Sequence, residues 1–191
     1  MARIPYPDPS TLSRANRALL EKLPPLNIFR MLAGSGASFQ PFMALINAYL
    51  NEGVLDPQLR ELVILRVGHF CGSAYELHQH ERVARSIGVS EAQIAGVAGA
   101  VPSPLFSDAE NLALTFSDDL AAHVKGDAAL LDAAKTCFGD AGVQELIIIV
   151  GVYLMVCRYL ETLEIEVEEI PLAVSGLDEI RAGIGGKAEA D

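Results

Sequence analysis

The chain has no tryptophan, and only 14 of its 191 residues are lysine or arginine, against 25 aspartates and glutamates. The net charge of −11 argues against a nucleic-acid backbone as partner, because phosphate binding needs a basic face. Cysteine is scarce: Cys71, Cys137 and Cys157 form no C-x-x-C and no dense framework. That pattern fits a reducing, cytoplasmic setting rather than a disulfide-stapled secreted domain. The opening "MARIPYPDPS" lacks the apolar stretch of a signal peptide. The longest apolar run, "LIIIVGVYLMVC" at 146–157, is too short to span a bilayer and stops at Arg158. It reads as a buried core helix, and no membrane partner is expected. Charged residues make up 20% and hydrophobic residues 51%. One domain of this size therefore has ample core material, with apolar surface left over for a homo-oligomer to cover.

The remaining signals are helical. Ser10 reads as an N-cap before Leu12, Ala15, Leu19 and Leu23, and Pro24-Pro25 ends that segment. A short helix is expected from Asn27, then a "GSGAS" loop, then a helix closed by Gly53. Asp56-Pro57 starts the next helix as N-cap and first-turn proline. Ser73 and Glu76 have capping-box spacing, as do Ser90 and Gln93, and Ser107 to Glu110 opens a further helix. "DAALLDAAKTCF" ends at Gly139, and a long apolar helix follows from near Val143 to around Glu161. Only "LEIEVEEI" alternates like a strand, and it has no partner. The expectation is an all-α bundle forming one domain over 1–191. It has an N-terminal helix in 1–24, a core in 25–170 and a poorly ordered tail in 171–191.

Reactive groups concentrate in "RELVILRVGHFCGSAYELHQH", residues 60–80. On a helix that turns about 100° per residue, Ser73, Glu76 and His80 share one face. His78 falls on the opposite side, so "HQH" does not chelate a metal on a helix, and no metal site is expected. A break at Gly72 would let Glu61, on the preceding helix, approach Glu76 and His80. A carboxylate beside an imidazole is equipment for moving protons near neutral pH. The same residues have structural readings too. Ser73 and Glu76 suffice as a capping box, and Glu61 as a first-turn acid. Cys71 suffices as a small buried hydrophobe, although a position before a helix N-terminus would activate it. Tyr75 can pack or donate a hydrogen bond into a pocket, His69 fits a helix end, and His78 and His123 fit the surface.

The stretch resembles the carboxymuconolactone decarboxylase and AhpD-like alkylhydroperoxidase superfamily. The resemblance runs roughly from residue 26 to 168 and is best over 55–88. In the redox branch, a glutamate, a C-x-x-C and a histidine form the motif. Laid on this chain, that motif places its glutamate at Glu61 and its histidine at His80. Its two cysteines fall on Ser73 and Glu76, which cannot form a dithiol. "YELHQH" is similar instead to the branch carrying YEW-x-x-H, with Leu77 in place of the tryptophan. The resemblance implies an AhpD-like helical bundle that assembles as a trimer or hexamer. It also implies a small-molecule substrate and no cofactor.

Two catalytic readings follow, with a non-catalytic ligand-binding oligomer as a third. In the first, His80, Glu61 and Glu76 do proton-transfer or decarboxylation chemistry on a small organic acid or lactone. Ser73, Tyr75 and His69 then line the pocket, with Arg60, Arg66 or Arg82 to hold a substrate carboxylate. In the second, Cys71 is the thiol of a peroxidase, with no resolving cysteine close in sequence. The apolar helix at 143–157 is expected to be buried on all sides, and 62–70 likewise, which would require a homo-oligomer.

Overall fold

The computed structural model describes residues 2–168. Among these residues there is no strand, and the fold is all-α. The chain divides into two compact units: residues 2–53 with 163–168, and Val54–Thr162.

The first unit holds α1 (Arg14–Leu20), α2 (Asn27–Ala33) and α3 (Phe39–Glu52), with single 3-10 turns at Pro9–Thr11 and Gly36–Ser38. Ser10 does not cap α1. Ser13 does, its Oγ accepting from Asn16 N at 3.1 Å, because Asp8 has already turned the chain at Pro9. Buried Asn16 donates to Ala33 O at 3.2 Å and Gly36 O at 2.8 Å, tying α1 to the α2–α3 turn. Arg3 pairs with Glu164 at 2.6 Å, and the Tyr6 hydroxyl donates to Glu166 at 3.0 Å. The described part of "LEIEVEEI" forms no strand, and its last two residues and the 171–191 tail lie outside the described residues.

The second unit is built around α4 (Pro57–Cys71), which packs on α5 (Ala74–Ser86), α6 (Glu91–Gly96) and α7 (Asp108–Ala122). The Asp56 carboxylate caps α4 by accepting from Gln58 N and Leu59 N, as its Asp-Pro start implied. Leu62 and Leu65 enter one cluster with Ala84, Val89, Ile94, Val97, Phe106 and Leu114. Burying a leucine of this kind contributes about 1.5–3 kcal/mol. Gly72 ends α4 in the left-handed region at φ 65°, where a side chain would be strained. At Gly68 a Cβ would meet Leu77 Cδ2 at 3.1 Å, so its hydrogen lets α4 and α5 close together. Arg66 braces the turn after α6. It pairs with Asp118 at 2.6 Å and donates to the carbonyls of Val97 and Gly99. The capping boxes at Ser90 and Ser107 are both formed.

α8 (Ala128–Leu163) is interrupted at Gly139, where the backbone leaves the helical region, so the shorter and longer helices read from sequence meet there. Within a single chain its apolar part is covered on one side only among the described residues. Leu146, Ile149, Val150, Tyr153, Val156, Cys157 and Leu160 are buried, but Ile147, Ile148 and Met155 are 41–46% exposed. Among the large apolar residues of α4 only Phe70 is exposed. Among the described residues of a single chain, α4 is flanked by three helices, whereas one side of α8 has no such cover. The apolar run is short, but α8 as a whole is long and apolar enough to cross a membrane by length and composition.

Candidate functional site

Gly72 folds α5 back on α4, and this sets Glu61 opposite His80. His80 Nδ1 donates to Glu61 Oε2 at 2.7 Å. His80 Nε2 lies 3.3 Å from Glu76 Oε2, one turn earlier on α5, as a close ion-pair contact rather than an aligned hydrogen bond. Glu61 is 0% exposed and Glu76 4%. Arg60, also buried, brings its Nε to 4.0 Å from Glu61 Oε1. Tyr153 of α8 stands edge-on to the imidazole, with ring centroids 5.0 Å apart and planes at 87°. Burial works against a charge on His80, but the carboxylates of Glu61 and then Glu76 outweigh it and raise the pKa to about 10. The ring is therefore an imidazolium at neutral pH, held between two acids.

Ser73 does not use its hydroxyl as the capping box required. It occupies the N-cap position of α5 without a side-chain cap, and its Oγ donates to Glu161 of α8 at 2.7 Å. Glu76 is turned inward toward His80, which removes the other half of the box. Tyr153, Cys157 and Glu161 are each one turn apart on α8 and so lie on one face. That face runs along α5: Glu161 meets Ser73, Tyr153 meets His80, and Cys157 falls between them near Glu76. Burial pushes the Cys157 thiol up, and the neighbouring Glu76 carboxylate and Cys71 thiol push it further. Cys71 is half-buried, Cys157 buried and Cys137 exposed, and all three are free thiols. Cys71 thus does have a thiol neighbour, supplied by a helix remote in sequence.

The other expected residues are placed less centrally. Tyr75 is buried, and His78 and His123 are exposed. His69 lies in the last turn of α4, where burial lowers its pKa. Its charged neighbours are Glu81 and Arg66 rather than Glu61 or Glu76. Among the described residues no group of three or more His, Cys, Asp or Glu could hold a metal. Three residues of this site were not singled out in sequence: Tyr153, Cys157 in this role, and Glu161. The available signal was their one-turn spacing, a polar and reactive edge on an otherwise apolar helix.

The arrangement can hold, give up and replace a proton at one imidazole. Residues 37–119, which carry Glu61, Glu76 and His80, match the model of the carboxymuconolactone decarboxylase family. No curated protein matches the chain in sequence. Among solved structures it is similar to an alkylhydroperoxidase AhpD core, an uncharacterised peroxidase-related protein from Ralstonia eutropha. The identity is 19% and the TM-score 0.77, over 88% of this chain and 93% of that one. It is similar also to an uncharacterised peroxidase-related protein from a Silicibacter species. There the identity is 18% and the TM-score 0.71, over 87% and 88% of the two chains. Those likenesses show an AhpD-like helical fold, and within it residues 37–119 are similar to the carboxymuconolactone decarboxylase family.

Proposed function

We propose that this protein is a cofactor-free enzyme that moves protons on a small organic acid or lactone, in the manner of a lactone decarboxylase. The observation that carries the reading is His80 held between Glu61 and Glu76. Loss of carbon dioxide from such a substrate leaves an enolate-like carbanion that must be protonated at carbon. An imidazolium with a pKa near 10 is a proton source for that step and remains charged until the carbanion forms. Glu61 fixes the ring through Nδ1, and Glu76 holds the charge at Nε2, the nitrogen that would face substrate. Arg66 is committed to Asp118 and two carbonyls, and Arg60 is buried against Glu61, which leaves Arg82 as the candidate for the substrate carboxylate. The setting is cytoplasmic, and the active form is a trimer or hexamer that covers Ile147, Ile148 and Met155 with a second copy of the chain.

A panel of carboxylated lactones and 2-oxo or 3-oxo acids in deuterated water tests the reading. The expected product carries one deuterium at the carbon that lost carbon dioxide. H80Q and E61Q should lower kcat by about 10²-fold or more, the usual scale of general acid catalysis, with KM changed less. C71S should retain activity. Turnover that survives H80Q, or that dies with C71S, overturns it.

A second reading, thiol peroxidase chemistry, is favoured by one observation: the half-buried Cys71 thiol neighbours Cys157, which in turn lies near Glu76. Peroxide reduction lost in C71S and kept in H80Q would select it.

A further inference from the structure

Ser73 stands at the N-cap of α5 and Glu76 at its third residue, the two places whose side chains serve the backbone in a capping box. Neither does so here. The Ser73 side chain accepts no backbone hydrogen bond, and the Ser73 amide donates to Gly68 O at 3.0 Å rather than to Glu76. The hydroxyl donates instead to Glu161 Oε1 on α8 at 2.7 Å. Glu76 turns inward, and its Oε2 is buried without an aligned hydrogen bond, 3.3 Å from His80 Nε2. Ser73 is 0% exposed and Glu76 4%, whereas Glu161 is exposed. What the helix start loses in capping becomes a polar line. It begins in solvent at Glu161, passes the buried hydroxyl and the buried carboxylate, and ends at the imidazole.

We infer that Glu161 and Ser73 are the route by which His80 recovers its proton from solvent. The inference rests on the reading of His80 as a proton donor and deepens it. A ring that gives its Nε2 proton to a carbanion is left neutral and must be recharged before the next turnover. The His80 side chain is only 16% exposed, and a bound molecule closes that opening. Delivery along α5 reaches the ring from behind. A hydronium or buffer acid first protonates the Glu161 carboxylate. Glu161 O–H gives that proton to Ser73 Oγ as the Ser73 hydroxyl proton moves to a Glu76 oxygen. Side chains three residues apart on a helix face have Cβ atoms about 5–6 Å apart, a gap that a hydroxyl and a carboxylate cross directly or over one water. Glu76 O–H then protonates His80 Nε2. One proton enters from solvent for each proton left on carbon, and every group returns to its starting form. Glu61 takes no part, since it holds Nδ1 on the other side of the ring. Glu161 and Ser73 touch no reacting atom and act through Glu76, so they are positioning residues for the proton.

The route works in both directions, so exchange of the two His80 ring protons with water reads it without a substrate. The full-length protein, with isotope-labelled histidine, is followed by NMR at neutral pH. In the wild type the Nε2 proton should exchange at a rate independent of buffer concentration, because its relay is built in. E161Q keeps an acceptor for the Ser73 hydroxyl, and so keeps the pin between α5 and α8, but an amide does not take up and release a proton as a carboxylate does. It should slow Nε2 exchange by about tenfold or more, since general acid–base assistance is commonly worth at least that. Added imidazole should restore the rate in proportion to its concentration. S73A should show the same loss and the same rescue, and E161Q decides alone if S73A does not fold. Unchanged Nε2 exchange in E161Q overturns the proposal, as does a wild-type rate that climbs with buffer. Faster exchange of both ring protons in E161Q also overturns it, because that marks a structural latch. The outcome is separable from the proton-transfer reading. If no acid or lactone turns over, that reading falls while the exchange result stands. If turnover occurs and exchange ignores Glu161, the route alone falls.

Discussion

α4 and α8 begin their apolar stretches with the same dipeptide, Glu61-Leu62 and Glu145-Leu146, and both leucines are fully buried. The glutamates diverge. Glu61 is fully buried and meets an imidazolium at 2.7 Å. Glu145 is partly exposed, and its Oε2 accepts from the backbone amides of Val54 at 2.6 Å and Leu55 at 3.4 Å, the loop that leads into α4. One motif thus yields a charge pair in one helix and a loop clasp in the other. The helix itself does not decide this. What decides it is the group that the fold sets opposite, because a buried carboxylate is tolerated only when a cation or donors compensate it.

The largest test of the comparison removes each carboxylate. E61A leaves a desolvated imidazolium without its aligned partner, and breaking a buried pair costs about 3–5 kcal/mol. E145A removes an acceptor shared by two loop amides, the shorter bond being to the exposed Val54, worth about 0.5–2 kcal/mol. Urea unfolding of the two variants gives both numbers. Equal losses would mean that Glu61 is as solvated as Glu145 and that the site is not the enclosed pair described.

The leucine and isoleucine positions sharpen it next. L62A should cost about 2–5 kcal/mol, because Leu62 is enclosed by the α4–α7 cluster. I148A, at a site 46% exposed, should change the stability of the isolated chain by no more than about 0.5 kcal/mol. If α8's open side seats a second copy, I148D shifts the species seen in sedimentation toward the 20.4 kDa chain while circular dichroism is preserved. An unchanged assembly after I148D removes this face as the interface.

The two histidines of the same stretch give the pH test. The folded pKa of His80 is raised from 6.5 to about 10, so its stabilising contribution is complete below pH 6.5 and is lost as pH climbs toward 10. That of His69 is lowered by burial, so its protonation in the unfolded chain erodes stability as pH falls below 6.5. Unfolding free energy should therefore decline between pH 6.5 and 10 in the wild type, and H80N should flatten that decline. In NMR the His80 ring should remain protonated at pH 8. A ring that titrates near 6.5 would remove the imidazolium from the site.

How much of this was legible from sequence differs by residue. The all-α fold and the starts of α4, α6 and α7 were readable because caps are local: Asp56, Ser90 and Ser107 each bond within their own first turn. The approach of Glu76 and His80 was readable for the same reason, as an i,i+4 pair. Glu61 was reachable only through the break at Gly72 and the family resemblance. Ser73 misled, since its spacing to Glu76 satisfies a capping box while its hydroxyl reaches an acceptor 88 residues away. Cys157 and Tyr153 were hidden because their meaning depends on where α8 lies, which no local pattern encodes. Ser10 failed by competition, with Asp8 and Ser13 dividing the role assigned to it.

The smallest test uses one substitution at two helical glycines. An alanine in a helix interior is favoured over glycine by about 0.5–1 kcal/mol when nothing obstructs its methyl. At Gly151 in α8 a Cβ meets nothing within 4 Å, so G151A should stabilise the isolated chain by about that amount. At Gly68 in α4 the same methyl arrives 3.1 Å from Leu77 Cδ2 and 3.6 Å from Glu76 Cβ. Leu77 must shift, and overpacking of this kind costs about 1–3 kcal/mol, more than the helix preference returns. G68A should therefore destabilise, and because the displaced side chains adjoin Glu76, it should also move the His80 ring signals in NMR. Opposite signs for the two variants would show that α4 is closed on α5 where α8 is open. Equal gains would show that the α4–α5 corner has room to spare, and the 3.3 Å contact between Glu76 and His80 would then no longer be a fixed feature of the site.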